Sequence, residues 1–70
     1  MENLENRLRE LREEHGITQE ELAARVNVSR QTIISLEKGK YNPSIGLAYS
    51  LARVFKMPIE SVFIFEDGKE

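Results

Sequence analysis

Apolar residues along this chain recur at helical intervals, and each run is closed by residues suited to caps. Leu4, Leu8 and Leu11 stand at i, i+4 and i+7, and Gly16 follows where a left-handed C-cap belongs, so roughly residues 4 to 15 are expected to form an amphipathic first helix. The pattern then restarts. Thr18-Gln19-Glu20-Glu21 has the form of a capping box, in which the Thr18 hydroxyl accepts from the Glu21 amide and the Glu21 carboxylate reaches back to the Thr18 amide. A second helix follows, with Leu22, Ala23 and Val26 facing inward. Asn27 suits a left-handed turn, Val28 can plug the core, and Ser29 is an N-cap for a third helix that ends at Gly39. Ser44 caps a fourth helix of roughly residues 45 to 56, whose Ile45, Leu47, Ala48, Leu51, Ala52, Val54 and Phe55 cover more than half its circumference and make it central to the core. Met57-Pro58 then breaks the chain, and Pro58 fits the opening of a short fifth helix of roughly residues 59 to 63.

About three residues separate the second helix from the third, too few for an extended antiparallel hairpin, so the two must turn sharply, near the angle of a helix-turn-helix. Placed at about 100° per residue, Ile33 and Leu36 of the third helix point one way with Glu37 beside them, while Gln31, Ser35 and Lys38 point the other. Arg30 sits in the first turn, where a long side chain projects forward. Arg, Gln and Ser are the residue types that hydrogen-bond base edges in a major groove, with Arg bidentate to guanine and Gln to adenine. Lys38, Lys40 and Tyr41 lie near the helix ends, where they can hold phosphates.

Composition narrows the picture. Seventy residues suit a single domain spanning 1–70, with a core over about 4–63 and a tail over 64–70. No cysteine is present, which removes disulfides, thiolate chemistry and the usual structural zinc ligands. No apolar run approaches the roughly 20 residues of a membrane span, and the N-terminus alternates charges where a signal peptide would be apolar, which points to the cytoplasm and away from a membrane partner. The formal charge of −2 hides a division: residues 1–24 balance at −4, residues 25–56 at +5 and residues 57–70 at −3. A positive band between acidic ends attracts polyanions whatever the net charge.

With those residues in view, ITQEELAARVNVSRQTIISLEKGKYNPS resembles the helix-turn-helix core of the phage repressor and Cro type, the XRE family, over about Leu8 to Phe63. The resemblance implies an all-α, five-helix DNA-binding domain with the helix-turn-helix at helices 2 and 3. It implies that the second helix of the motif enters the major groove, where Arg30, Gln31 and Ser35 approach base edges. Thr18, Gln19, Ser29, Lys40 and Asn42 then approach phosphates, and a homodimer binds half-sites about one helical turn apart on double-stranded DNA.

Three features call for separate readings. Glu37 lies four residues from Ile33 at the border of the core, where an unpaired carboxylate is costly, and Arg12 occupies the matching border of helix one; a structural Arg12–Glu37 salt bridge is expected, similar to a pair common in the family. Ile34, at the edge of the exposed face where many relatives are polar or small, either touches a thymine methyl or packs against the neighbouring helix. Val62-Phe63-Ile64-Phe65 is more apolar than a closing helix needs. As a short C-terminal strand, Ile64 and Phe65 are expected to bury a dimer interface, with Met1 to Leu4 or a second subunit's tail; the plainer reading lays Phe65 over helix one or five.

Catalysis finds little support. The lone His15 lies at a helix end, Asp67 is the single aspartate, and the glycines form no phosphate-binding fingerprint, so no metal, cofactor or enzymatic role is expected. Two function classes remain: a sequence-specific regulator, read here as a repressor on a pseudo-palindromic operator, and an antitoxin-like or adaptor protein that docks another chain through its tail. No sequence feature identifies a small-molecule effector.

Overall fold

Four helices of this chain end in the same way. In the computed structural model, which describes residues 5–64, the helices are α1 (Leu8–Glu14), α2 (Gln19–Arg25), α3 (Arg30–Glu37), α4 (Ile45–Val54) and α5 (Ile59–Val62). Gly16, Asn27, Gly39 and Lys56 follow the first four with φ of 66°, 62°, 74° and 58°. At each of them the amide donates back to the carbonyl three residues earlier, and the next amide donates five residues back: Gly39 to Leu36 and Lys40 to Ser35, for instance, at 2.9 and 3.0 Å. This is the Schellman arrangement, which satisfies the carbonyls a helix end leaves over. The residue after the left-handed position is apolar in three cases, Ile17, Val28 and Met57, and each packs in or against the core. The fourth is Lys40, which stays exposed.

Lys56 is the unexpected member of this set, because a lysine has no special tolerance for the left-handed region. Lys56→Gly is therefore expected to raise stability by about 0.5–1 kcal/mol, read as a higher denaturant midpoint with unchanged slope. A lower midpoint would show that the Lys56 stem makes packing contacts worth more than the strain.

Helix starts follow the sequence closely. Thr18 and Glu21 complete the capping box, with Glu21 N donating 3.0 Å to Thr18 Oγ1 and Thr18 N donating 2.9 Å to Glu21 Oε1. Ser29 and Ser44 accept from the Thr32 and Leu47 amides at 3.2 and 3.1 Å. The first helix departs from expectation: it begins at Leu8, and Glu5–Asn6 instead form a strand, β1, paired antiparallel with β2 (Phe63–Ile64) in the register Glu5↔Ile64, Asn6↔Phe63. Leu4, placed in that helix by periodicity, lies outside the described residues. The helix cannot start earlier, because Asn6 Oδ1 already caps the Leu8 amide at 3.0 Å and the Arg7 amide is taken by Val62 O at 2.8 Å. The short C-terminal strand thus finds its partner within its own chain.

The core is built from every helix and from β2. Leu8, Leu11, Leu22, Ile33, Leu36, Leu51, Val62 and Phe63 are sealed from solvent, with Ile17, Ala23, Ala48, Ala52 and Phe55 around them and Val28 packed against them. The second and third helices pack together more extensively than any other pair, turning through the four residues Val26 to Ser29. Ile45 does not join the core and is 86 % exposed. Its angular position is on the buried arc, but it begins α4 and its side chain leans toward the helix N-terminus, past the end of the packed layer.

Candidate nucleic-acid interface

The third helix carries the residues that sequence reasoning assigned to reading, and the structure shows how it is held. Ile33 and Leu36 anchor its inner face at 0 % exposure. Its N-terminus is fixed by Ser29 and its C-terminus by the Gly39–Lys40 closure, which leaves little freedom for the helix to slide or fray. Arg30, Gln31 and Lys38 are exposed, whereas Ser35 is half-buried. Ser35 was expected on the outward face; its carbonyl accepts from the Lys40 amide, so it belongs to the closing turn as well. Ile34 is half-buried and lines a cleft bordered by Arg9, Thr18, Arg30 and Lys38.

The floor of that cleft is polar. Arg12 Nε donates 2.6 Å to Glu37 Oε2, and Nη2 donates 3.3 Å to Oε1, a bidentate pair with side chains 13 % and 6 % exposed. Arg12 Nη1 also donates 3.1 Å to the Ile17 carbonyl. The Glu37 carboxylate raises the Arg12 pKa above its already high ordinary value by accepting that hydrogen bond, so the guanidinium is charged at any working pH. The pair expected from periodicity is thus in place, joining α1 to α3. Sequence reasoning missed its third member: Gln19 Nε2 donates 3.1 Å to Glu37 Oε1 and brings the start of α2 into the same network. Gln19, read as a phosphate contact, keeps its second amide proton for that purpose.

The other residues expected at phosphates lie at the start of α2, the start of α3 and in the loop after α3. Thr18 and Ser29 use their hydroxyl oxygens to cap α2 and α3; the Thr18 hydroxyl still has a proton to give, whereas the Ser29 hydroxyl also shares a 3.0 Å hydrogen bond with the Thr32 hydroxyl. Lys40, Tyr41 and Asn42 are exposed in the loop after α3. Among the described residues, Arg30, Lys38 and Lys40 form no ion pair, while Arg7 and Arg9 are matched to Glu10 and Glu13 on the surface of α1. Arg30 thus lies at the start of α3 and Lys38 and Lys40 at its end without a carboxylate partner among the described residues, as do Arg25, Arg53 and Lys56 elsewhere on the surface.

Asn6 was not anticipated at all. Its Nδ2 donates 2.8 Å to the Leu36 carbonyl, so the residue that caps the start of α1 also ties down the last turn of α3. His15, considered for metal chemistry and set aside, places Nδ1 2.9 Å from the Leu11 carbonyl and its ring edge-on to Phe55, with centroids 5.1 Å apart. Asp67 and Phe65 lie outside the described residues.

A rigid helix presenting Arg, Gln and Lys beside a capped, sharply turned partner helix defines a DNA-binding helix-turn-helix. The helix-turn-helix family profile matches residues 8–62, and the chain belongs to this family, of the XRE type. It is 59 % identical over 64 residues to an uncharacterised HTH-type transcriptional regulator of Archaeoglobus fulgidus, covering 91 % of each chain. A regulator of the same description from Methanocaldococcus jannaschii is 52 % identical over 66 residues, 94 % of this chain and all of the relative. Among solved structures, the restriction-modification controller protein C.AhdI from Aeromonas hydrophila superposes with a TM-score of 0.73 at 33 % identity, covering 79 % of this chain and 83 % of that one. The chain is accordingly a DNA-binding transcriptional regulator rather than an enzyme. Among the described residues no helix is long and apolar enough to cross a membrane.

Proposed function

We propose that the protein represses transcription in the cytoplasm by occupying a pseudo-palindromic operator as a homodimer, with α3 of each copy in the major groove. The observation that carries this reading is the exposed face of α3, on which Arg30, Gln31 and Lys38 have no carboxylate partner among the described residues while the helix beneath them is fixed at both ends. Arg30 and Gln31 read base edges, Ser35 assists from the closing turn, and Ile34 meets a thymine methyl. Thr18, Gln19 and Ser29 donate to phosphates at the start of the motif; Lys38, Lys40, Tyr41 and Asn42 do so at its end. The acidic remainder of the chain limits attachment to non-specific DNA.

Selection of bound duplexes from random DNA tests this. A two-fold consensus is expected, with a steep loss of affinity as salt rises. Gln31→Ala should cost about 1–3 kcal/mol on the selected site and relax preference at one position per half-site, whereas Lys40→Ala should weaken all sequences alike and lower the salt slope by about 1. Absence of any consensus would turn the fold into a scaffold for protein contacts.

Ile64 and Phe65 are expected from sequence at the dimer interface, and Phe65 lies outside the described residues. The pairing of β2 with β1 already gives the strand an intramolecular neighbour, although Ile64 is still 41 % exposed.

A further inference from the structure

The positive band over residues 25–56 is only half accounted for by α3. Arg30, Lys38 and Lys40 stand at the ends of that helix, but Arg25, Arg53 and Lys56 do not. Two of these three meet: Arg25, in the last turn of α2, and Arg53, in the last turn of α4, line one open hollow of about 580 Å³ together with Tyr49, Ser50 and Val54. Neither α3 nor any carboxylate borders it. The hollow is also apart from the cleft beside α3, which Thr18 and Gln19 border from the start of α2, whereas Arg25 ends that helix about 9 Å further along.

Neither arginine is neutralised within the described structure. Both are exposed, neither forms an ion pair with a described residue, and the sequence holds no acid between Glu37 and Glu60. Arg53 is braced instead by a neutral side chain: Nη1 donates 3.3 Å to the Tyr49 hydroxyl, and the guanidinium carbon lies 5.6 Å from the ring centroid. That contact orients the guanidinium and leaves its charge uncompensated. The Tyr49 hydroxyl, having accepted, still has a proton to give. Two cations that open on one hollow repel each other, and an anion between them relieves the repulsion.

We propose that this hollow is a phosphate-binding site distinct from α3, a reading that stands whether or not the operator is two-fold. A phosphate suits it better than a carboxylate does. The two oxygens of a carboxylate are coplanar and match one guanidinium fork, whereas the oxygens of a tetrahedral phosphate diverge, so forks arriving from two different helices can each take their own. The Tyr49 hydroxyl supplies a further donor. Phosphate of this kind comes from a soluble phosphate ester or from a nucleic-acid backbone, and the consequences differ. A soluble ester makes the hollow an effector site, because Arg25 stands four residues before Ser29, the N-cap of α3, and the turn between them sets how α3 leaves α2. A backbone phosphate makes it a second anchor on DNA, independent of base sequence.

The test titrates isotope-labelled wild-type protein, free of DNA, with inorganic phosphate, adenosine 5′-monophosphate and acetate, and follows the arginine side-chain Nε–H resonances. Both phosphates are expected to shift Arg25 and Arg53 together, at a concentration about tenfold below that needed at Arg30, the weight of one added charge-assisted hydrogen bond. Acetate should not discriminate among the three. The variant carrying Arg25→Ala and Arg53→Ala should melt like wild type, and its Tyr49 resonances should no longer respond to phosphate as those of wild type do. A duplex of arbitrary sequence, titrated across salt with both proteins, then separates the sources. An unchanged salt slope in the variant assigns the site to a soluble ester; a slope lower by about 1 assigns it to the DNA backbone. Phosphate shifts as large at Arg30 as at Arg25 and Arg53, or acetate shifts with the same selectivity, would overturn the site whatever the slope, and would leave the operator reading untouched.

Discussion

Glu37→Ala is expected to destabilise the fold by about 3 kcal/mol or more, through the charge it strands and with little contribution from the contact it deletes. Arg12 is 13 % exposed, and without Glu37 its guanidinium retains the Ile17 carbonyl as its fixed partner. Gln19 loses its acceptor at the same time. In a chain of this length each kcal/mol moves the melting midpoint by roughly 4–8 °C, so a fall of about 12 °C or more is the readout. The sharper experiment adds Arg12→Met to Glu37→Leu. Removing both charges leaves no buried ion to solvate, and the double variant is expected to recover most of the lost stability, as replaced buried pairs often do. If Glu37→Ala melts within a few degrees of wild type, water reaches Arg12 well enough to replace the carboxylate, and the network is a surface feature.

That ion pair was legible in the sequence because it follows from position on two amphipathic helices whose inner residues, Leu8 and Leu11 on one and Ile33 and Leu36 on the other, are unambiguous. The caps were legible for a similar reason: Thr18, Ser29 and Ser44 act on amides three residues away, and Gly16, Asn27 and Gly39 act on carbonyls equally close, so the chemistry is local. What stayed hidden depends on distant parts of the chain. Asn6 serves the carbonyl of a residue 30 positions away, and strands of two residues have no periodicity to detect. Lys56 adopts a left-handed conformation because Phe55 and Met57 on either side are drawn into or against the core, a demand its own side chain does not announce. Ile45 failed in the opposite sense. Periodicity gives the angle of a residue around a helix but not whether the core extends that far along it. On the outer face of α3, the exposure of Arg30, Gln31 and Lys38 was anticipated; the half-burial of Ser35, whose carbonyl joins the closing turn by accepting from Lys40, was not.

Phe63→Ala is expected to be more disruptive than its place near the chain end suggests. Phe63 is 1 % exposed and is the largest of the sealed side chains, yet it lies in a two-residue strand held by a single neighbour. Truncation of a buried Phe costs about 3–5 kcal/mol in transfer and cavity terms. A chain of this size has only some 5–10 kcal/mol in total, so the variant should melt roughly 15–30 °C lower. The loss should also travel toward α3. Phe63 pairs with Asn6 in the sheet register, and Asn6 is the residue whose amide holds the Leu36 carbonyl at the end of α3. Amide exchange at Lys38 and Gly39, which donate within that last turn, is therefore expected to accelerate more in Phe63→Ala than exchange at the start of α2, where the Thr18–Glu21 capping box is self-contained. Uniform acceleration across the chain would mean that Phe63 supports only global stability. A selective effect at Lys38 and Gly39 would instead mean that the pairing of β1 with β2 sets how firmly the last turn of α3 is held.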